Sequence, residues 1–118
     1  MSTSRKFGII FGVGLFVIFA MGFFAGRATA RPPVPGPVFK AVRTYWKTTP
    51  ERIEAFDVIS CETGGRYNTT ARNGQYLGLF QMGSFARARY GHGPSAVAQA
   101  RAAHAYYLDA GWSPWECA

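Results

Sequence analysis

The sequence predicts a small, mainly α-helical domain with one disulfide, preceded by an N-terminal hydrophobic helix. Three observations predict it. Residues Phe7 to Gly26 run for twenty residues without a charge. Two later segments carry helix-starting and helix-stopping residues at their ends. Two cysteines, Cys61 and Cys117, bracket a stretch too short to fold securely on its apolar core alone.

The first segment, FGIIFGVGLFVIFAMGFFAG, is long enough to cross a hydrocarbon layer as a helix. Arg5 and Lys6 precede it and Arg27 follows. Residues 1–30 therefore read as a signal peptide or a transmembrane signal anchor. ATA at Ala28 to Ala30 is a small-x-small pattern that a signal peptidase accepts. A buried core helix is disfavoured, because so small a domain has nothing to cover such a helix on every side. Glycine and alanine fill seven of the twenty positions, which suits close helix packing or a weakly held anchor. Arg27, Arg31, Lys40, Arg43 and Lys47 follow the segment, so positive-inside counting by itself places the rest of the chain on the cytoplasmic side.

Residues 31–47 read as a Pro-rich and basic spacer. Pro32, Pro33, Pro35 and Pro37 fall within RPPVPGPV, which predicts a stiff extended run rather than a helix. FKAVRTYWK, Phe39 to Lys47, is basic and aromatic and suits either the start of the fold or an anionic surface. From Arg31 onward, ten Lys and Arg face six Asp and Glu, a net charge of +4. Such a balance suits polyanions in general. No nucleic-acid motif accompanies it, so no nucleic-acid partner is expected.

Residues 48–118 are the compact part. In an exported domain of this size one cysteine pair reads as a disulfide. Two free thiols in the cytosol are the alternative. A bridge closing this loop stabilises by roughly 4 kcal/mol in the chain-entropy treatment.

Thr49 is a good N-cap for the first helix of this part, with Pro50 at the first helical position and Glu51 in the first turn. Thr48 with Glu51 forms a rival capping box one residue earlier. Gly64 and Gly65 stop the helix. Ile53, Phe56, Ile59 and Ser60 share one broad side at helical spacing. Glu62 follows Val58 and Ile59 by four and three residues, so its helical neighbours are aliphatic. A carboxyl over aliphatic groups at the mouth of a cleft loses solvation, which favours the protonated form that a general acid needs. The alternative is an ordinary solvated glutamate in a last helical turn.

The final helix runs from Ala96 to Ala110, capped by Ser95 and ended by Gly111. Its alanines allow close approach, and Tyr107 and Leu108 read as core. His104 reads as structural, and His92 sits in a loop. Two histidines without suitably spaced cysteines predict no metal site, and no cofactor is expected.

ISCETGGRYN, NGQYLGLFQM and the closing AGWSPWECA together resemble the lysozyme-like transglycosylase superfamily. The likeness reaches soluble lytic transglycosylases, goose-type lysozymes and resuscitation-promoting factors, and it covers Ile53 to Ala118. It implies a lysozyme-like fold. Glu62 matches the catalytic glutamate, and Gln81 matches the Gln of the G-L-x-Q segment that faces the sugar cleft. Cys61 and Cys117 match the half-cystines of the resuscitation factors. Phe80 stands between Leu79 and Gln81, as in the lytic transglycosylase pattern, whereas resuscitation factors tend to read G-L-Q. Phe85 stands where a Trp is typical.

The resemblance implies cleavage of peptidoglycan glycan strands between N-acetylmuramic acid and N-acetylglucosamine. No acid lies between Gly64 and Asn73, so no near-sequence second carboxylate follows Glu62. Asp57, Asp109 and Glu116 are the more distant acids. A single-glutamate lytic transglycosylase reaction fits this pattern. A muramidase, including a phage signal-anchor-release lysin, and a non-catalytic wall-binding protein are the alternatives. Tyr67, Asn68, Tyr76 and Phe80 are the expected sugar contacts beside Gln81, while Trp112 and Trp115 read as core. The expected protein is a monomer, exported to the outer face of the membrane or to the cell wall. The hydrophobic leader, the cysteine pair and the implied substrate outweigh the positive-inside count.

Overall fold

The computed structural model describes residues 33–118; the apolar stretch 7–26 lies outside them. Among the described residues the fold is mainly α, with four helices and a two-stranded hairpin. In chain order these are α1 (Gly36–Tyr45), α2 (Thr49–Glu62), β1 (Arg72–Asn73), β2 (Tyr76–Leu77), α3 (Ser84–Tyr90) and α4 (Ala96–Ala110). No helix among the described residues is long and apolar enough to cross a membrane.

The extended run expected over Arg31 to Val38 gives way to α1 from Gly36 onward, and for Phe39 to Lys47 the start of the fold is the reading that α1 matches. Pro35 is its N-cap and Pro37 lies in its first turn. The first helical N–H groups have no intrahelical acceptor, so proline there costs nothing. The proline run thus ends in the turn where the helix starts. Val38, Ala41 and Val42 are buried along α1, and Trp46 just after it is fully buried. The folded body therefore begins before Thr48.

Trp46 is the hub of the core. Its ring stacks on Phe80 at 5.5 Å and on Trp112 at 5.8 Å, and meets the edge of His104 at 4.9 Å. Burying such a ring contributes on the order of 3 kcal/mol. Around it α4 packs against α1 and α3, and α2 lies beside α1. Ala100, Ala102 and Ala103 are fully buried along α4 and let it approach its neighbours closely.

The start of α2 follows the earlier of the two caps. Thr48 Oγ1 accepts from the Glu51 N–H, and the Glu51 carboxylate accepts from the Thr48 N–H. The buried side of α2 is Ala55, Val58 and Ile59. Ile53, grouped by spacing on one side with the buried Ile59, is 54% exposed. Leu108, expected in the core, is 69% exposed near the end of α4. The α4 boundaries, the Ser95 cap and the Gly111 stop stand as expected.

The disulfide joins Cys61 and Cys117, with their Cα atoms 5.8 Å apart. It ties the last turn of α2 to the segment that follows α4.

Candidate active site

The site begins with the way α2 ends. Thr63 is buried; its hydroxyl donates to the Ile59 carbonyl at 2.8 Å and accepts from the Tyr67 N–H at 2.9 Å. Gly64 and Gly65 take left-handed backbone, at φ of 66° and 82°. The chain turns sharply there, and Glu62 is left on the last helical turn, half-buried. Val58 and Ile59, its helical neighbours, are fully buried.

Glu62 opens onto a cleft of about 610 Å3. Tyr76 and Gln81 line it, as do Phe85, Trp115 and Glu116. The structure thus places Glu62, Gln81 and Tyr76, three of the candidate site residues, along one cleft. Tyr76 is exposed on the rim.

Gln81 has two jobs. It lines the cleft, and its Nε2 donates to the carbonyls of Ala71 and Gly78 at 2.8 and 2.9 Å. Its backbone is left-handed, at φ 44°, which costs a non-glycine residue on the order of 1 kcal/mol. The two hydrogen bonds from its side-chain amide hold it in that conformation. Such local strain is a common mark of functional sites.

Two expected sugar contacts are corrected. Phe80 is fully buried and packs on Trp46, with Trp115 across from it at 6.1 Å. Tyr67 is 5% exposed and belongs to the core. Phe80 adjoins the cleft residue Gln81 in sequence and Tyr67 lies in the loop after α2, but their rings turn inward, where burial stabilises more than a solvated rim does. Asn68 is exposed, and its Oδ1 accepts from the N–H and hydroxyl of Thr70, so it shapes a turn.

Three supports hold the cleft walls. Gln99 is buried on α4; its Oε1 accepts from the Leu79 N–H and its Nε2 donates to the Thr69 carbonyl. It therefore pins the Gly78–Gln81 turn and the preceding loop to α4. Arg87 donates to the carbonyls of Gln75 and Met82, fastening the hairpin to α3. The Trp115 indole N–H donates to the Phe80 carbonyl at 2.8 Å, which locks the C-terminal segment against the same turn.

Among the cleft residues that sequence reasoning left unassigned are Gln75, Met82, Tyr106 and Glu116. Tyr106 stacks on Tyr90 at 4.9 Å and lies 5.1 Å from Trp115. Glu116 arrives through the disulfide rather than through any local motif. Among the described residues no cluster of His, Cys, Asp and Glu has the makings of a metal site.

The two histidines stand apart from the cleft. Burial pushes His104 below the usual imidazole range, and nearby Lys47 acts in the same direction while Glu51 opposes it. Burial also lowers His92, with Arg87 adding to the effect.

The chain matches no known family model, no curated protein and no solved structure.

Proposed function

We propose that this protein cuts peptidoglycan glycan strands between N-acetylmuramic acid and N-acetylglucosamine as a lytic transglycosylase of the lysozyme-like superfamily. One observation carries the reading: Glu62 and Gln81 share one open cleft with the exposed ring of Tyr76. A carboxyl, a fixed amide and an aromatic rim suit a chain of amino sugars.

In this reading Glu62 donates its proton to the bridging oxygen as the bond from C1 breaks. The carboxylate then removes the proton of the muramyl C6 hydroxyl. That oxygen closes on C1 and leaves a 1,6-anhydro ring, and Glu62 is protonated again. Gln81 lines the bed for the sugar, and Tyr76 offers an apolar face. The protein acts outside the cytoplasmic membrane, held by residues 7–26 or released from them.

The test is mass spectrometry of strand ends after treating purified peptidoglycan with the oxidised full-length protein, beside a Glu62→Gln variant. Anhydro-muramyl ends from the wild type, lowered at least about a hundredfold in the variant, are the expected result. A folded, oxidised protein that releases no new ends sinks the reading.

A further inference from the structure

Glu62 and Glu116 are the charged side chains among the described residues that line the cleft, and both are carboxylates. They are far apart in sequence, but each adjoins one half of the disulfide. With 5.8 Å between the two cysteine Cα atoms, the Cα atoms of the two glutamates lie within about 13 Å of each other. Both spacings used by paired carboxylates on a glycosidic bond are then within reach of two glutamate side chains.

The segment carrying Glu116 is firmly held. Trp115 on one side is 3% exposed and bonded through its indole to the Phe80 carbonyl. Cys117 on the other side is bonded to Cys61. A side chain between a buried indole and a disulfide has little backbone freedom, as a residue acting on a bound reactant requires.

We propose that Glu116 is a second catalytic carboxylate that gives the cleft a hydrolytic outlet beside the anhydro-forming one. The inference rests on the glycan-cleavage reading of the same site. In this branch Glu62 protonates the bridging oxygen and the C1–O bond breaks. Glu116 takes a proton from a water molecule whose oxygen bonds to C1. The products are a new reducing end and a free hydroxyl on the departing sugar, so one water is consumed. Glu62 is left as carboxylate and Glu116 as acid, and proton exchange with solvent resets both. Product partition then depends on whether the C6 hydroxyl or the water reaches C1 first.

The experiment counts reducing and anhydro-muramyl ends released by the oxidised full-length protein and by Glu116→Gln and Glu116→Asp. The wild type is expected to release both kinds. In Glu116→Gln the ratio of reducing to anhydro ends falls by roughly a hundredfold, the scale of losing a general base. Glu116→Asp keeps the charge on a shorter arm and gives a ratio between the two. It also reads the effect should Glu116→Gln disturb the adjoining disulfide. A wild type that releases anhydro ends alone overturns the inference and leaves the transglycosylase reading intact. A ratio that neither substitution moves does the same. A wild type that releases no ends of either kind removes the glycan-cleavage reading and the inference together.

Discussion

The buried amide of Gln99 accepts a hydrogen bond from the Leu79 N–H at 2.9 Å, across twenty residues of sequence. One side chain on α4 thereby fixes the turn that presents Gln81 to the cleft. Glycine is required at the neighbouring position for the same reason. Gly78 has φ 89°, and a Cβ there would sit 2.5 Å from Gln99 Oε1.

Gln99→Leu is expected to cost about 2–4 kcal/mol, because it orphans the buried Leu79 N–H along with a backbone carbonyl. Gly78→Ala is expected to cost upward of about 1 kcal/mol from its positive φ and the close contact. Urea unfolding of both variants checks this, with a shift in midpoint and an unchanged slope.

Replacing both Cys61 and Cys117 by serine should remove roughly 4 kcal/mol of stability. It should also untie Glu116 from Glu62, so the ratio of reducing to anhydro ends falls even under conditions where the variant is folded. Denaturation midpoints with and without reductant measure the first effect. Strand-end counts on folded protein measure the second.

Tyr76 and Tyr67 should separate function from packing. Tyr76 is 45% exposed on the rim, so Tyr76→Ala should raise KM while leaving stability within about 0.5 kcal/mol. Tyr67 is buried, so Tyr67→Ala should cost about 3 kcal/mol. Thermal melts paired with glycan-release kinetics distinguish the two.

His104 and His92 make stability depend on pH. Burial lowers both below the ordinary imidazole value of 6.5. The unfolded chain therefore binds protons first as pH falls. Their contribution is fully present above about pH 6.5 and is lost as pH drops from there through the folded-state values. Between about pH 6.5 and 5.5, His104→Gln should flatten the slope of unfolding free energy against pH. An unchanged slope in the His104→Gln, His92→Gln double variant would show that other groups set it.

Local chemistry made α2 and α4 legible. Ser95, Gly111, the Thr48–Glu51 box and the paired glycines after Glu62 act within a few residues. The place of Glu62 on the last turn followed from those caps. What escaped was set by contacts across the chain. Phe80 looked like a rim residue because it adjoins Gln81, and Tyr67 because it lies in a loop; only the position of Trp46 and its neighbours decides which way the rings turn. Glu116 showed no local mark, since its route to the cleft runs through a disulfide and a buried indole. The α1 helix was hidden by prolines that read as breakers, although they stand where a helix tolerates them.

The burial of α1 also changes how far the folded body can travel. Eight residues, Arg27 to Val34, separate the uncharged stretch from Pro35, whereas twenty-one would separate it from Thr48. Fully extended, eight residues span about 28 Å. With residues 7–26 seated in a bilayer, the body is leashed within that distance of the lipid surface. In the proposed glycan-cleaving role, its working depth would then be the innermost layer of wall, with strands further out open to it only after the leash is cut.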